Sequence, residues 1–177
     1  MNLYFARHGQ TDANINMTGG QSVTELDAPL NQLGIQQADE LAEQLKDVKF
    51  DTVISSSLKR AYQTAESVNK YHNLPIKVSD VWRERQYDAY IDTNTWNDLF
   101  DFDKNIPVKN GESLPDFFER VYKAIDDLRR EYDGKTVLIV SHGGVQHALY
   151  AYANKLPLSG NIRISPMKNC EYRVYEL

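Results

Sequence analysis

The chain has 177 residues, of which 41% are hydrophobic and one is cysteine, and 20 basic against 25 acidic side chains leave a formal charge of −5. That length suits one domain with one core, burying roughly two-thirds of the surface its unfolded form exposes. The acidic balance argues against nucleic acid or an anionic membrane as main partner, because both reward a basic stripe that no segment supplies.

An apolar run from Asn2 to Ala6 is expected to form a first strand that ends at Arg7-His8-Gly9. A histidine delivered there, beside a guanidinium and a glycine that lets backbone amides face a ligand, suits attack on a phosphate ester. A polar loop with Gly19 and Gly20 follows. From Asn31 to Val48 the apolar positions Leu33, Ala38, Leu41, Ala42, Leu45 and Val48 recur at three- and four-residue steps, which predicts a helix capped by Asn31. Thr52 to Ser55 reads as a short strand, and Ser57 opens a helix with Arg60 in its first turn. Ile76 to Val81 alternates as a strand and empties into Trp82-Arg83-Glu84-Arg85. Residues 86 to 112 lose all periodicity and form the expected lid. Ser113 starts a helix whose apolar face is Leu114, Phe117, Phe118, Val121, Ile125 and Leu128. Gly134 closes the connection to a buried strand from Val137 to Val140, which delivers a second histidine in Ser141-His142-Gly143-Gly144. A helix from Val145 to about Asn154 and two strands, near Ile162 and at Tyr172 to Tyr175, complete the pattern.

Strands alternating with helices imply a three-layer α/β/α sandwich with a mostly parallel central sheet. In such sheets ligands bind outside the carboxyl ends of the strands. His8, Arg60, Glu84 and His142 all fall at or just after such an end, so four reactive side chains are expected on one rim. An anionic substrate would be met there by individually placed arginines. The lone Cys170 excludes an internal disulfide. With no secretory pattern and no apolar run near the roughly 18 residues that span a bilayer, a cytoplasmic protein without a membrane partner is expected.

Arg7-His8-Gly9-Gln10-Thr11 with Asn14, combined with Ser141-His142-Gly143-Gly144, resembles the histidine phosphatase superfamily, also called phosphoglycerate mutase-like. Asp27-Ala28-Pro29-Leu30-Asn31 with Gly34 and Gln37-Ala38, Ser55-Ser56-Ser57-Leu58-Lys59-Arg60-Ala61 with Gln63-Thr64-Ala65, Glu84-Arg85 and Gly111-Glu112-Ser113 look like later blocks of that family in their usual order. The resemblance covers nearly the whole chain and implies a single domain over residues 1 to 177. It implies a phosphomonoesterase that needs neither metal nor other cofactor and takes a small phosphorylated substrate; the sequence itself leaves monomer and homodimer both open.

By the same resemblance His8 is the nucleophile that becomes phosphohistidine. Arg7, Arg60 and His142 surround the transferring phosphoryl group, where fixed positive charge does most of the catalytic work. Glu84 is the general acid and base. Gln10, Thr11, Asn14, Gln21, Arg85 and Gly143 join it as substrate or phosphate contacts.

Plainer readings stand beside these. His8 or His142 alone would read as a capping or core histidine, and Arg83-Glu84-Arg85 as a solvated charge cluster. His147 occupies a place where many family members carry arginine, and His72 lies in a polar helix-end loop and reads as solvated. Tyr87, Tyr90, Trp96, Phe100 and Phe102 read equally as the core of a small insert. Asp88, Asp92, Asp98, Asp101 and Asp103 face only Lys104 and Lys109 there, which disfavours a polyanionic substrate. Hydrolysis of a small monophosphate is therefore expected ahead of phosphoglycerate mutase activity. A non-catalytic phosphate-binding module is the alternative of another class.

Overall fold

Side chains of a strand alternate between faces, and burial on both faces of a short apolar run marks the centre of a covered sheet. The structure, a computed structural model, describes residues 1–15, 27–86, 98–104, 106, 108 and 111–177. Its strands are β1 (Asn2–Arg7), β2 (Thr52–Ser56), β3 (Ile76–Ser79), β4 (Thr136–Ser141) and β5 (Tyr172–Glu176). Its helices are α1 (Asp12–Ile15), α2 (Gln32–Leu45), α3 (Lys59–Asn69), α4 (Leu114–Glu131) and α5 (Gly143–Ala153).

The sheet order is β3-β2-β4-β1-β5. β1 and β2 each pair parallel with β4, β3 pairs parallel with β2, and only β5 is antiparallel, against β1. The expected α/β/α architecture with a mostly parallel sheet is present. The single core is corrected to two, because helices on both faces of the sheet divide the apolar interior. Leu3, Phe5, Val137 and Ile139 face α4 and α5, whereas Ala6, Leu138 and Val140 face α2 and α3. Among the described residues no helix is long and apolar enough to cross a membrane.

Other boundaries move for local reasons. Asn31 caps α2 as predicted, its side chain accepting from the Gly34 amide at 2.8 Å. Ser113 caps α4 in the same way, from the Asp116 amide at 3.1 Å. α3 begins at Lys59 rather than Ser57, because Ser56 ends β2 and its hydroxyl accepts the Leu58 amide at 3.3 Å. β3 ends at Ser79, where its pairing with β2 runs out and a 3-10 turn, Asp80–Trp82, leads to Glu84.

The strand expected near Ile162 does not form. Its partner is a segment of the insert: Phe102 N donates to Gly160 O and Ile162 N to Phe100 O, both at 2.9 Å, around one isolated bridge between Asp101 and Asn161. Leu99 and Phe100 are buried against α4 and α5, and Phe102 meets Phe118 edge to face at 4.9 Å. The later part of the insert is thereby fastened to the main body, while Tyr87, Tyr90 and Trp96 lie outside the described residues.

The loop after β1 is pressed onto the start of α2. A Cβ on Gly34 would fall 2.9 Å from both the backbone N and C of Gln10, and one on Gly9 would meet the Gly34 carbonyl oxygen at 2.5 Å. Backbone on both sides cannot give way cheaply. Gly34→Ala is therefore expected to cost about 1–3 kcal/mol, as forced overpacking does, read as a lower urea midpoint with unchanged slope.

Candidate active site

Parallel pairing of β1 with β4 in the register Arg7↔Ser141 places the residues that follow each strand side by side. His8 N donates to Ser141 O at 2.9 Å, and the His8 and His142 rings lie 5.1 Å apart between centroids. Both imidazoles are buried, with 4% and 0% of their residues' surface exposed.

The tautomer of His8 follows from its partners. Nδ1 lies 2.7 Å from the Gly9 carbonyl oxygen, which only accepts, so Nδ1 carries the proton. Nε2 then holds the lone pair and accepts from Arg60 Nε at 3.2 Å. Burial, followed by the charges of Arg60 and Arg7, holds the His8 pKa well below the usual 6.5 and keeps the ring neutral. An unprotonated nitrogen therefore sits against a guanidinium from the first turn of α3.

Around it are polar groups awaiting a partner. Arg7 Nη1 donates to Met167 O at 2.6 Å, but Arg7 Nε is buried with none, and His142 Nδ1 is likewise buried and unpartnered. An unsatisfied buried polar group costs about 1–3 kcal/mol, so two in one place call for an explanation. Gly143 opens α5, and its amide donates to nothing among the described residues. A Cβ placed there would lie 3.8 Å from Arg7 Nε, so backbone and guanidinium run together at a helix N-terminus, where anions are favoured. Burial lowers the pKa of both Arg7 and Arg60, and the nearby Glu84 charge opposes that shift in each. One phosphoryl group would satisfy Arg7 Nε, His142 Nδ1 and the Gly143 amide together.

Glu84 stands at the same helix end. Its Oε2 accepts the Gly144 amide at 2.9 Å and its Oε1 the Arg85 amide at 3.0 Å. A Cβ on Gly144 would overlap the carboxylate, meeting Cδ at 3.0 Å and one oxygen closer still. Beside Glu84 opens a cleft of about 410 Å³ bounded by Asp80, Arg83, Glu84, Gln86, Gly111, Glu112 and Arg120. Among the described residues no three His, Cys, Asp or Glu side chains are grouped as metal ligands.

A family model described as the histidine phosphatase superfamily (branch 1) matches residues 3–177. The chain belongs to that superfamily. It is 36% identical over 143 residues to the uncharacterized phosphatase PhoE of Bacillus subtilis, covering 81% of this chain and 72% of that one. It is 32% identical over 169 residues to the adenosylcobalamin/alpha-ribazole phosphatase of Escherichia coli, covering 89% and 81%. A mycobacterial glucosyl-3-phosphoglycerate phosphatase, solved with a vanadium oxyanion, superposes with a TM-score of 0.82 at 26% identity over 98% of this chain and 90% of that one.

Within this histidine phosphatase fold the remaining expected contacts fall into different places. Asn14 accepts the Thr11 amide at 3.1 Å and the Thr11 hydroxyl at 3.2 Å on Oδ1, which leaves its Nδ2 hydrogens unpartnered among the described residues. Thr11 is consumed by that exchange, whereas Gln10 Oε1 accepts from Asn31 at 3.2 Å and leaves the Gln10 Nε2 hydrogens unpartnered among the described residues. Arg85 is corrected more sharply. It is 1% exposed, its Nε donates to the Glu112 carbonyl at 2.9 Å and its Nη1 to that of Leu99, which ties the two ends of the insert together. Gln21 lies outside the described residues.

Gly9 also has another task than expected. Its amide donates to Thr64 Oγ1 at 3.1 Å, so its value is close packing on Gly34 and not an N–H for a ligand. His147 is buried in α5 with Nδ1 unpartnered, pushed down to about 4 by burial and by Arg163, Arg173 and Arg7. His72 packs edge-on against Phe50 at 4.9 Å instead of standing in solvent.

Three supporting residues had no assigned role from sequence: Gly144 beside Glu84, Ser56 beside His142, and Thr64, which accepts from Gly9 and donates to the Arg60 carbonyl at 2.8 Å. Each lies within a quoted motif block, which was the only signal available.

Proposed function

We propose that this histidine phosphatase moves the phosphoryl group of a small monoester onto His8 Nε2 and then to water, without a metal. The observation that carries the reading is the bare Nε2 of His8 flanked by Arg60 and by the unpartnered Arg7 Nε and His142 Nδ1. In the first step Arg60 Nε leaves Nε2 for a phosphoryl oxygen, the Nε2 lone pair attacks phosphorus, and the bond from phosphorus to the alcohol oxygen breaks. Glu84 gives that oxygen its proton. In the second step water attacks the same phosphorus and passes its proton to the Glu84 carboxylate, the N–P bond breaks, and inorganic phosphate leaves.

Charge on the equatorial oxygens is met by Arg7, Arg60, His142, the Gly143 amide and Asn14, the task a metal performs in other phosphoryl-transfer sites. Of the lid expected at residues 86 to 112, the described part is anchored by the buried Leu99 and Phe100, and residues 87–97 lie outside the described residues. The cleft beside Glu84 carries Asp80, Glu84 and Glu112 against Arg83 and Arg120, which suits a monophosphate better than a bisphosphate held for a mutase cycle. The named phosphatases among the relatives support hydrolysis.

A panel of phosphorylated metabolites and p-nitrophenyl phosphate in EDTA tests the reading. Phosphate release from at least one monoester is expected. Interconversion of the two phosphoglycerates at a higher rate would replace it with the mutase, and no turnover with tight phosphate binding would replace it with a binding module.

A further inference from the structure

We infer that Ser56 is a positioning residue for His142, its hydroxyl holding that imidazole in the tautomer with the proton on Nδ1. The inference rests on the reading that His142 meets the phosphoryl group.

Ser56 is the last residue of β2 and has no exposed surface. Its Oγ lies 2.8 Å from His142 Nε2 and accepts the Leu58 amide at 3.3 Å. Two arrangements fit the first distance. If Nε2–H donates, Oγ accepts twice, its own hydrogen has no acceptor among the described residues, and Nδ1 turns a lone pair toward the anion site. If Oγ–H donates to Nε2, the hydroxyl is satisfied on both sides and Nδ1 carries an N–H into the space beside His8. Only the second arrangement leaves a donor for a phosphoryl oxygen, and it leaves no buried hydrogen idle.

A neutral imidazole suits this environment, since His142 is buried and lies within the fields of Arg60, Arg7 and Arg83. Neutral His142 helps an anion only through the nitrogen that bears the proton, so the tautomer decides whether it attracts or repels. The same serine holds the Leu58 amide two residues before Arg60, so one hydroxyl sets both a ring and the start of the helix that presents the guanidinium.

The test uses the whole enzyme with ¹⁵N-labelled histidine, His142 being assigned by the signal lost in His142→Asn. Wild type is expected to show a protonated Nδ1 and a bare Nε2. Ser56→Ala is expected to lose that signature and to lower kcat on the order of 100-fold, the usual scale for one oxyanion donor, with inorganic phosphate bound more weakly. Ser56→Thr, which restores a hydroxyl, should recover both the signature and most of the rate. A wild-type spectrum showing Nε2–H or the doubly protonated ring would overturn the inference even if Ser56→Ala fails to fold. Loss of rate in a folded Ser56→Ala with the Nδ1–H signature intact would do the same. Full activity in His142→Asn would instead remove the reading of the site on which the inference rests.

Discussion

His8→Ala is expected to lower kcat by at least about 10⁴-fold, because removal of a nucleophile that acts as part of a unit takes nearly the whole catalytic advantage with it. Arg7, Arg60, His142 and the Gly143 amide remain, so inorganic phosphate should still bind. Loss of turnover with retained binding is the signature to seek. In wild type, substrate labelled in the phosphoryl group and quenched in alkali, where a phosphorus–nitrogen bond survives, should leave label on His8. Label on another residue would end the covalent role assigned to it.

The acid side of the rate profile follows from the same environment. Burial, Arg60 and Arg7 all push the His8 pKa down, so the neutral ring persists to lower pH than a free imidazole would. As pH falls through 6.5, kcat/KM should show no loss from protonation of the nucleophile. The decline should track the second ionisation of a phosphate monoester, about 6. A substrate ester with a lower second pKa would move the limb with it, whereas a limb fixed near 6.5 for every substrate would contradict a depressed His8.

The strands that carry this site were legible because a covered parallel sheet needs continuous apolar runs, and β1 and β4 have them at Leu3-Tyr4-Phe5-Ala6 and Val137-Leu138-Ile139-Val140. Their carboxyl ends then fix His8 and His142 on one rim. Which atoms a neighbour consumes is not written in such patterns. Successive side chains of extended backbone point in opposite directions; Arg83 is extended, and beyond it Glu84 turns to α5 while Arg85 turns to Leu99 and Glu112. The resemblance of the Glu84-Arg85 block and the need for a cation beside Glu84 made Arg85 look like a phosphate contact, and neither shows this turn of the side chain. Gly9 misled in a similar way: a glycine at a strand end suggests exposed amides, but a contact with Gly34, 25 residues on, demands the missing Cβ. Ser56 and Gly144 act through partners distant in sequence, His142 for the one and Glu84 for the other, so only the assembled fold reveals them.

Gly144→Ala should reproduce the loss of Glu84 without substituting a reacting group. The added Cβ would overlap the Glu84 carboxylate, and because that carboxylate is the free end of a flexible side chain, it moves while the backbone stays. The Gly144 amide loses its acceptor, and the carboxyl leaves the end of α5 where the leaving oxygen is to be protonated. A positioned acid or base is worth about 10² to 10⁴ in rate, so kcat with alkyl monophosphates should fall by about that factor, as it should in Glu84→Gln. With p-nitrophenyl phosphate the departing phenolate needs no proton, and the first step should survive. Water still lacks its base in the second step. Rapid mixing should therefore show a burst of p-nitrophenolate close to one per active site, followed by slow turnover, with the unfolding midpoint little changed. Equal losses in burst rate and steady rate would place Gly144 in the fold of the site instead. Unchanged rates with both substrate types would mean that the position of Glu84 at the start of α5 does not govern proton transfer.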